Sequence, residues 1–202
     1  MLLKDKPYGQ EQNMNDTKSL LAVIDAQDTE KSLQMIEVGA DIEVADATGI
    51  TPQHLAAKYG MKAVLAALLQ RGAKVDAPNV DGVTPLHLAA AREKPETFNM
   101  LIVHGADFRR TERDGWTPLH WAAYRGCLPI VEQLIMLGAE INLADNDGWT
   151  PLHLAAQQGK TAVIAALLAA GADSTLIDEN GQTALDLAVS QRQAEAVTLL
   201  SR

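Results

Sequence analysis

Apolar residues in this chain recur at helical spacing in short paired runs, and a polar turn closes each pair. The stretch from Asp145 to Ala172 shows the arrangement. Leu152, Leu154, Ala155 and Ala156 define the apolar face of one short helix, and Val163, Ile164, Leu167 and Leu168 that of a second. Asp145-Asn146-Asp147-Gly148 ahead of them is a turn sequence, with glycine where a positive φ is expected. Thr150 suits an N-cap. Pro151 suits the first helical position, where its missing N–H costs nothing. Gly159 ends the first helix, and Gly171 falls at the C′ position of the second. The predicted unit is turn, helix, helix, turn.

That unit returns at a fixed interval. The block Thr-Pro-Leu-His-x-Ala-Ala begins at Thr51, Thr84, Thr117 and Thr150, and in degenerate form at Thr183, each step being 33 residues. Gly39, Gly72, Gly105, Gly138 and Gly171 keep the same step, as do Gly49, Gly82, Gly115, Gly148 and Gly181. Three registers locked together mean a stacked repeat array, in which each unit touches only its neighbours.

The period and the Thr-Pro-Leu-His-x-Ala block resemble ankyrin repeats over about residues 17–202. The resemblance implies an all-α solenoid of stacked helix-turn-helix units joined by short hairpin-like turns. Six units are expected, over about 16–46, 47–79, 80–112, 113–145, 146–178 and 179–202, the first and last being caps. Residues 1–15 match nothing in the repeat and are expected to form a flexible tail, with Met14 an alternative start. Gln53 stands where the block has leucine, and Asp186 where it has histidine. Glu93-Lys94-Pro95 replaces the glycine-led turn between helices, so a reshaped turn is expected there. Pro95 and Pro129 fall near the starts of second helices, where proline is tolerated.

Composition narrows the function. A net charge of −9 argues against nucleic-acid binding, which rests on many Lys and Arg contacts to phosphate. The single cysteine, Cys127, excludes an internal disulfide. The amino end lacks the apolar stretch of a secretory signal, and no run approaches the roughly 18 apolar residues of a membrane span. The expectation is a cytoplasmic protein, monomeric on its own, with no cofactor and no membrane or nucleic-acid partner.

Candidate catalytic chemistry fails on spacing. His54, His87, His120 and His153 occupy one repeat position, so they form a ladder with rungs roughly 8–10 Å apart, too far to share a metal. The family resemblance implies a structural histidine that hydrogen-bonds within and between repeats. His104, just before Gly105, reads as a helix C-terminal cap, and Cys127 as a semi-exposed thiol without a base. Gly159-Lys160-Thr161 imitates the end of a phosphate-binding loop, but the glycine required five residues earlier is Leu154. Asp145-Asn146-Asp147-Gly148 echoes a calcium loop whose closing glutamate would be Leu154. No enzyme and no metal site is expected.

Family resemblance implies protein binding through hairpin tips and the concave face of the first helices. Partner information must then sit where the units differ. The residue before each repeat threonine runs Ile50, Val83, Trp116, Trp149, Gln182. The ends of the first helices run Lys58-Tyr59, Ala91-Arg92, Tyr124-Arg125, Gln157-Gln158 and Ser190-Gln191. Tyr, Trp and Arg are the types enriched at interface hot spots. The predicted contact set is Tyr59, Arg92, Trp116, Tyr124, Arg125 and Trp149, with the two indoles neighbouring on one edge and Tyr59, Arg92, Tyr124 and Arg125 lining the same groove. Trp121, inside the helix, is expected to pack between units. Arg109, Arg110, Arg113 and Arg125 form either a basic spot that steers an acidic partner or a solvated face. The function expected is a non-enzymatic protein-interaction scaffold. The alternative is a stand-alone inhibitor, immunity-type or effector protein that blocks a partner enzyme.

Overall fold

The computed structural model describes residues 20–201. The expected tail at 1–15 and the alternative start at Met14 lie outside them. Among the described residues there are twelve helices and no strand: α1 (20–25), α2 (Thr29–Glu37), α3 (Pro52–Tyr59), α4 (Lys62–Gln70), α5 (Pro85–Ala91), α6 (Pro95–Val103), α7 (Pro118–Arg125), α8 (Leu128–Met136), α9 (Pro151–Gln157), α10 (Thr161–Ala169), α11 (Ala184–Ser190) and α12 (Ala194–Leu200). They stack in consecutive pairs, as the repeat pattern requires. First helices α3, α5, α7, α9 and α11 pack in one row, and second helices α2, α4, α6, α8, α10 and α12 in another.

Side-chain size sets the close approach of the two rows. Ala56, Ala57, Ala89, Ala90, Ala122, Ala123, Ala155 and Ala156 are wholly buried in the first row. Larger side chains fill the space behind them, with Leu65, Leu68, Phe98, Leu101, Ile130, Leu134, Ile164 and Leu167 also fully enclosed. One continuous apolar core therefore runs the length of the stack.

The Thr-Pro-Leu-His block is a helix-capping box with histidine in the third helical position, where glutamate or glutamine is usual. In α7, Thr117 Oγ accepts from the His120 N–H, while His120 Nδ1 accepts from the Thr117 backbone N–H at 3.2 Å and from its hydroxyl at 2.8 Å. Nδ1 is thus an acceptor, which leaves the proton on Nε2. That N–H donates forward to the carbonyl of Trp149, 29 residues on, at 3.2 Å. His54 reaches Val83, His87 reaches Trp116 and His153 reaches Gln182 in the same way. Asp186 preserves the box at Thr183 but has no donor with which to reach onward.

The turn between paired helices needs a left-handed residue. Gly60, Gly126 and Gly159 supply it, with φ of 71°, 84° and 63°. Glu93 at the equivalent place holds φ at 56°, so the turn keeps its shape, against the sequence expectation. The requirement comes from the packing of α5 against α6, and it overrides the side chain's preference at a cost of roughly 1–2 kcal/mol. Pro95 takes the first position of α6 and Pro129 the second of α8, where proline removes no needed donor.

Hairpin tips are held by a side chain, not by glycine alone. Asp145 Oδ1 accepts from the backbone N–H groups of Asp147 and Trp149, at 3.0 and 2.7 Å, while the Asp145 N–H donates to the Trp149 carbonyl. Asp46, Asn79, Glu112 and Asp178 do the same in their own hairpins. Successive tips are stitched by backbone bonds from Val80 to Thr48, Arg113 to Asp81, Asn146 to Asp114 and Glu179 to Asp147.

Candidate binding groove

This lattice places the residue before each repeat threonine. Trp149 has its N–H held by Asp145 and its carbonyl held by His120 of the preceding unit, so only its side chain is free to vary. Trp116 is fixed likewise by Glu112 and His87. Both indoles line one groove between the hairpin tips and the first helices α7 and α9, with a volume of about 330 Å³. Its walls are Trp116, Trp121, Tyr124, Trp149 and Leu154, and its rim carries Glu112, Asp114, Asp145 and Asp147.

Trp116, Trp121 and Tyr124 form a tight aromatic cluster. Ring centroids are 4.6 Å apart for Trp116–Trp121, 5.6 Å for Trp116–Tyr124 and 6.4 Å for Trp121–Tyr124, with the planes inclined at 60°, 59° and 90°. Trp116 is anchored further by its indole N–H, which donates to Asp145 Oδ2 at 2.7 Å. Trp149 stands apart. Among the described residues its ring meets only His153, and no ring contact joins it to Trp116, so the two share a groove and do not form a continuous strip. Asp178, placed relative to Trp149 as Asp145 is to Trp116, keeps a buried Oδ2 without a donor.

Trp121, expected to pack between units, packs against the core with its Nε1 buried, and its partly exposed ring also forms part of the groove wall. One helical turn separates Trp121 from Tyr124, a spacing that puts them on one face and was readable in the sequence.

The remaining predicted contacts lie elsewhere. Tyr59 and Arg92 share a second hollow with Gln27, Lys58 and Lys94 at the N-terminal end of the stack. Tyr59 donates its hydroxyl to Asp25, and the Lys58 ammonium sits 4.7 Å from the Tyr59 ring centre. Arg125 lines neither hollow; its Nε donates to the Ala91 carbonyl at 2.7 Å. One groove for Tyr59, Arg92, Tyr124 and Arg125 is therefore corrected to two hollows and a tethering arginine. The basic spot also dissolves: Arg113 pairs with Asp81 at 2.6 Å, and Arg109 and Arg110 each lie 3.9 Å from an aspartate.

The histidines are fully engaged in the lattice. Burial is the main cause that lowers the pKa of all four ladder histidines, to about 4 for His87 and His120, and the carbonyl acceptors oppose it only in part. His104 caps α6, with Nδ1 2.8 Å from the Met100 carbonyl. Cys127 is buried, not semi-exposed, because the turn before α8 folds it under the helices; burial pushes its thiol up and away from reactivity. Among the described residues no three His, Cys, Asp or Glu side chains are gathered as metal ligands, and no helix is long and apolar enough to cross a membrane.

The family model for ankyrin repeats matches three times, over residues 19–112, 78–145 and 119–202. The chain belongs to the ankyrin-repeat family. The stacked helix pairs, histidine-centred capping boxes and stitched hairpins are the repeat framework of that family in this sequence. No curated protein matches the chain. Ankyrin repeats are in general protein-interaction modules, and in this chain Trp116, Trp121, Tyr124 and Trp149 line one groove.

Proposed function

We propose that this ankyrin-repeat protein is a non-enzymatic binding module that holds one partner protein across its hairpin tips and first helices. The observation that carries this reading is the convergence of Trp116, Trp121, Tyr124 and Trp149 in a chain with only three tryptophans and three tyrosines. Large rings left half-exposed in adjacent units are a surface for burial against another molecule. Trp116, Tyr124 and Trp149 are its centre. Tyr59 and Arg92 supply a second contact at the N-terminal hollow, and Arg125 supports the groove by tethering α7 to α5. The module works in the cytoplasm as a monomer, without cofactor, metal, membrane or nucleic acid.

The test is capture from a lysate of the source cells with the parent and a Trp116→Ala/Trp149→Ala variant, both checked for fold by circular dichroism. Trp149→Ala alone is the milder change, since among the described residues its indole makes no hydrogen bond, whereas that of Trp116 donates to Asp145. A protein captured stoichiometrically by the parent and lost by the variants supports the module and its groove. Equal capture by all three removes the aromatic groove from the function, and capture of nothing counts against a binding role in those cells.

A further inference from the structure

We infer that the groove between α7 and α9 receives a lysine or arginine side chain from an extended basic segment of the partner. This rests on the reading of the chain as a protein-binding module and specifies the partner's chemistry.

Two independent features of the groove select a cation. The first is its walls. The rings of Trp116, Trp121 and Tyr124, steeply inclined to one another, line the groove, and Trp149 contributes a fourth ring. Ammonium and guanidinium groups are attracted to the faces of such rings within about 6 Å. The second is charge. The rim holds four carboxylates, and none of the lining residues is Lys, Arg or His. Asp114 and Asp147 occupy equivalent hairpin positions and are exposed, and among the described residues their carboxylates make no hydrogen bond or ion pair. Asp81, one unit earlier, is paired with the Arg113 guanidinium at 2.6 Å.

General acidity of the chain does not account for this. The N-terminal hollow on the same array is lined by Lys58, Arg92 and Lys94. The two hollows therefore differ in the charge of their linings, and a partner that spans both needs its basic residues at the α7–α9 end. At about 330 Å³ the groove has room for a long side chain.

The test uses the full chain and a fluorescein-labelled decapeptide of alternating arginine and serine, followed by anisotropy at low and at about 300 mM salt. The control peptide carries glutamate in place of arginine. The expected result is binding of the arginine peptide only. Asp114→Asn/Asp147→Asn should weaken it about tenfold, and Trp149→Ala about fivefold even at the higher salt, where long-range attraction is screened. Glu132→Gln/Glu195→Gln removes the same charge from exposed sites on second helices and should change affinity less than twofold. No binding of the arginine peptide, equal binding of both peptides, or equal weakening by the two double variants overturns the inference. A cellular partner lost with Trp149→Ala but kept by Asp114→Asn/Asp147→Asn overturns it too, while leaving the binding module intact.

Discussion

Lowering the pH from 7 to 5 should strip the stack of a large share of its stability, through the histidine ladder. His87 and His120 are wholly buried, and their pKa values fall from 6.5 to about 4. The cause is loss of solvent around the charged ring, and the geometry adds to it. Nδ1 of His120 faces the Thr117 backbone N–H at 3.2 Å, so a second ring proton would meet a donor. A pKa lower in the folded state means that the unfolded chain takes up protons which the folded chain refuses. Stability is then complete above pH 6.5 and drains away as pH falls towards 4. From those two values each histidine loses about 2 kcal/mol between pH 7 and 5, so His87 and His120 together lose about 4 kcal/mol. His54 and His153 are lowered too and act in the same direction. Carboxylates do not confuse the window. Asp46 and Asp186 are held below 3.8, chiefly by the Thr48 and Thr183 hydroxyls, so their contribution is lost only at still lower pH. Urea unfolding followed by circular dichroism at the two pH values measures the loss, and imidazole NMR of the folded protein identifies its source. Stability within about 1 kcal/mol at both pH values, or ladder resonances titrating near pH 6.5, would refute the reasoning.

Other perturbations follow from single positions. Glu93→Gly relieves the positive φ of the α5–α6 turn and should raise stability by about 1 kcal/mol, seen as a higher urea midpoint; a lower midpoint would mean that the side chain is worth more than the strain. Gln53 is fully buried, its Oε1 has no partner, and its Nε2 makes one long bond of 3.3 Å to the Lys74 carbonyl. Leucine fills the equivalent places at 86, 119 and 152, so Gln53→Leu should stabilise by about 1–2 kcal/mol, checked by thermal melting. Gly148 and Gly138 both hold positive φ, yet a Cβ on Gly148 would lie 3.1 Å from Asp178 Cα, whereas one on Gly138 meets nothing within 4 Å. Gly148→Ala should therefore cost about 2 kcal/mol or more and Gly138→Ala about 1; equal losses would show that the hairpins separate readily.

The sequence alone determined the architecture. A 33-residue step in three registers admits one kind of solution, because each helix pair can bury its apolar face only against its neighbours. Local rules also placed Thr150, Pro151, Gly171 and the His104 cap. Relations between units were decided only by tertiary structure. The forward bond from His120 to Trp149 spans 29 residues, and the indole bond from Trp116 to Asp145 spans the same distance. Neither leaves a trace in local periodicity. The same holds for burial: Cys127 sits in a turn by sequence but beneath the helices in space. The site shows the division most clearly. Trp116, Tyr124 and Trp149 stood out as departures from the repeat, whereas the separation of Tyr59 and Arg92 and the tethering of Arg125 depended on side-chain contacts between units. A repeat sequence prescribes its framework because every unit obeys the same packing. Its groove is made by the residues that escape that rule, and their directions are set by neighbours that one unit's sequence does not contain.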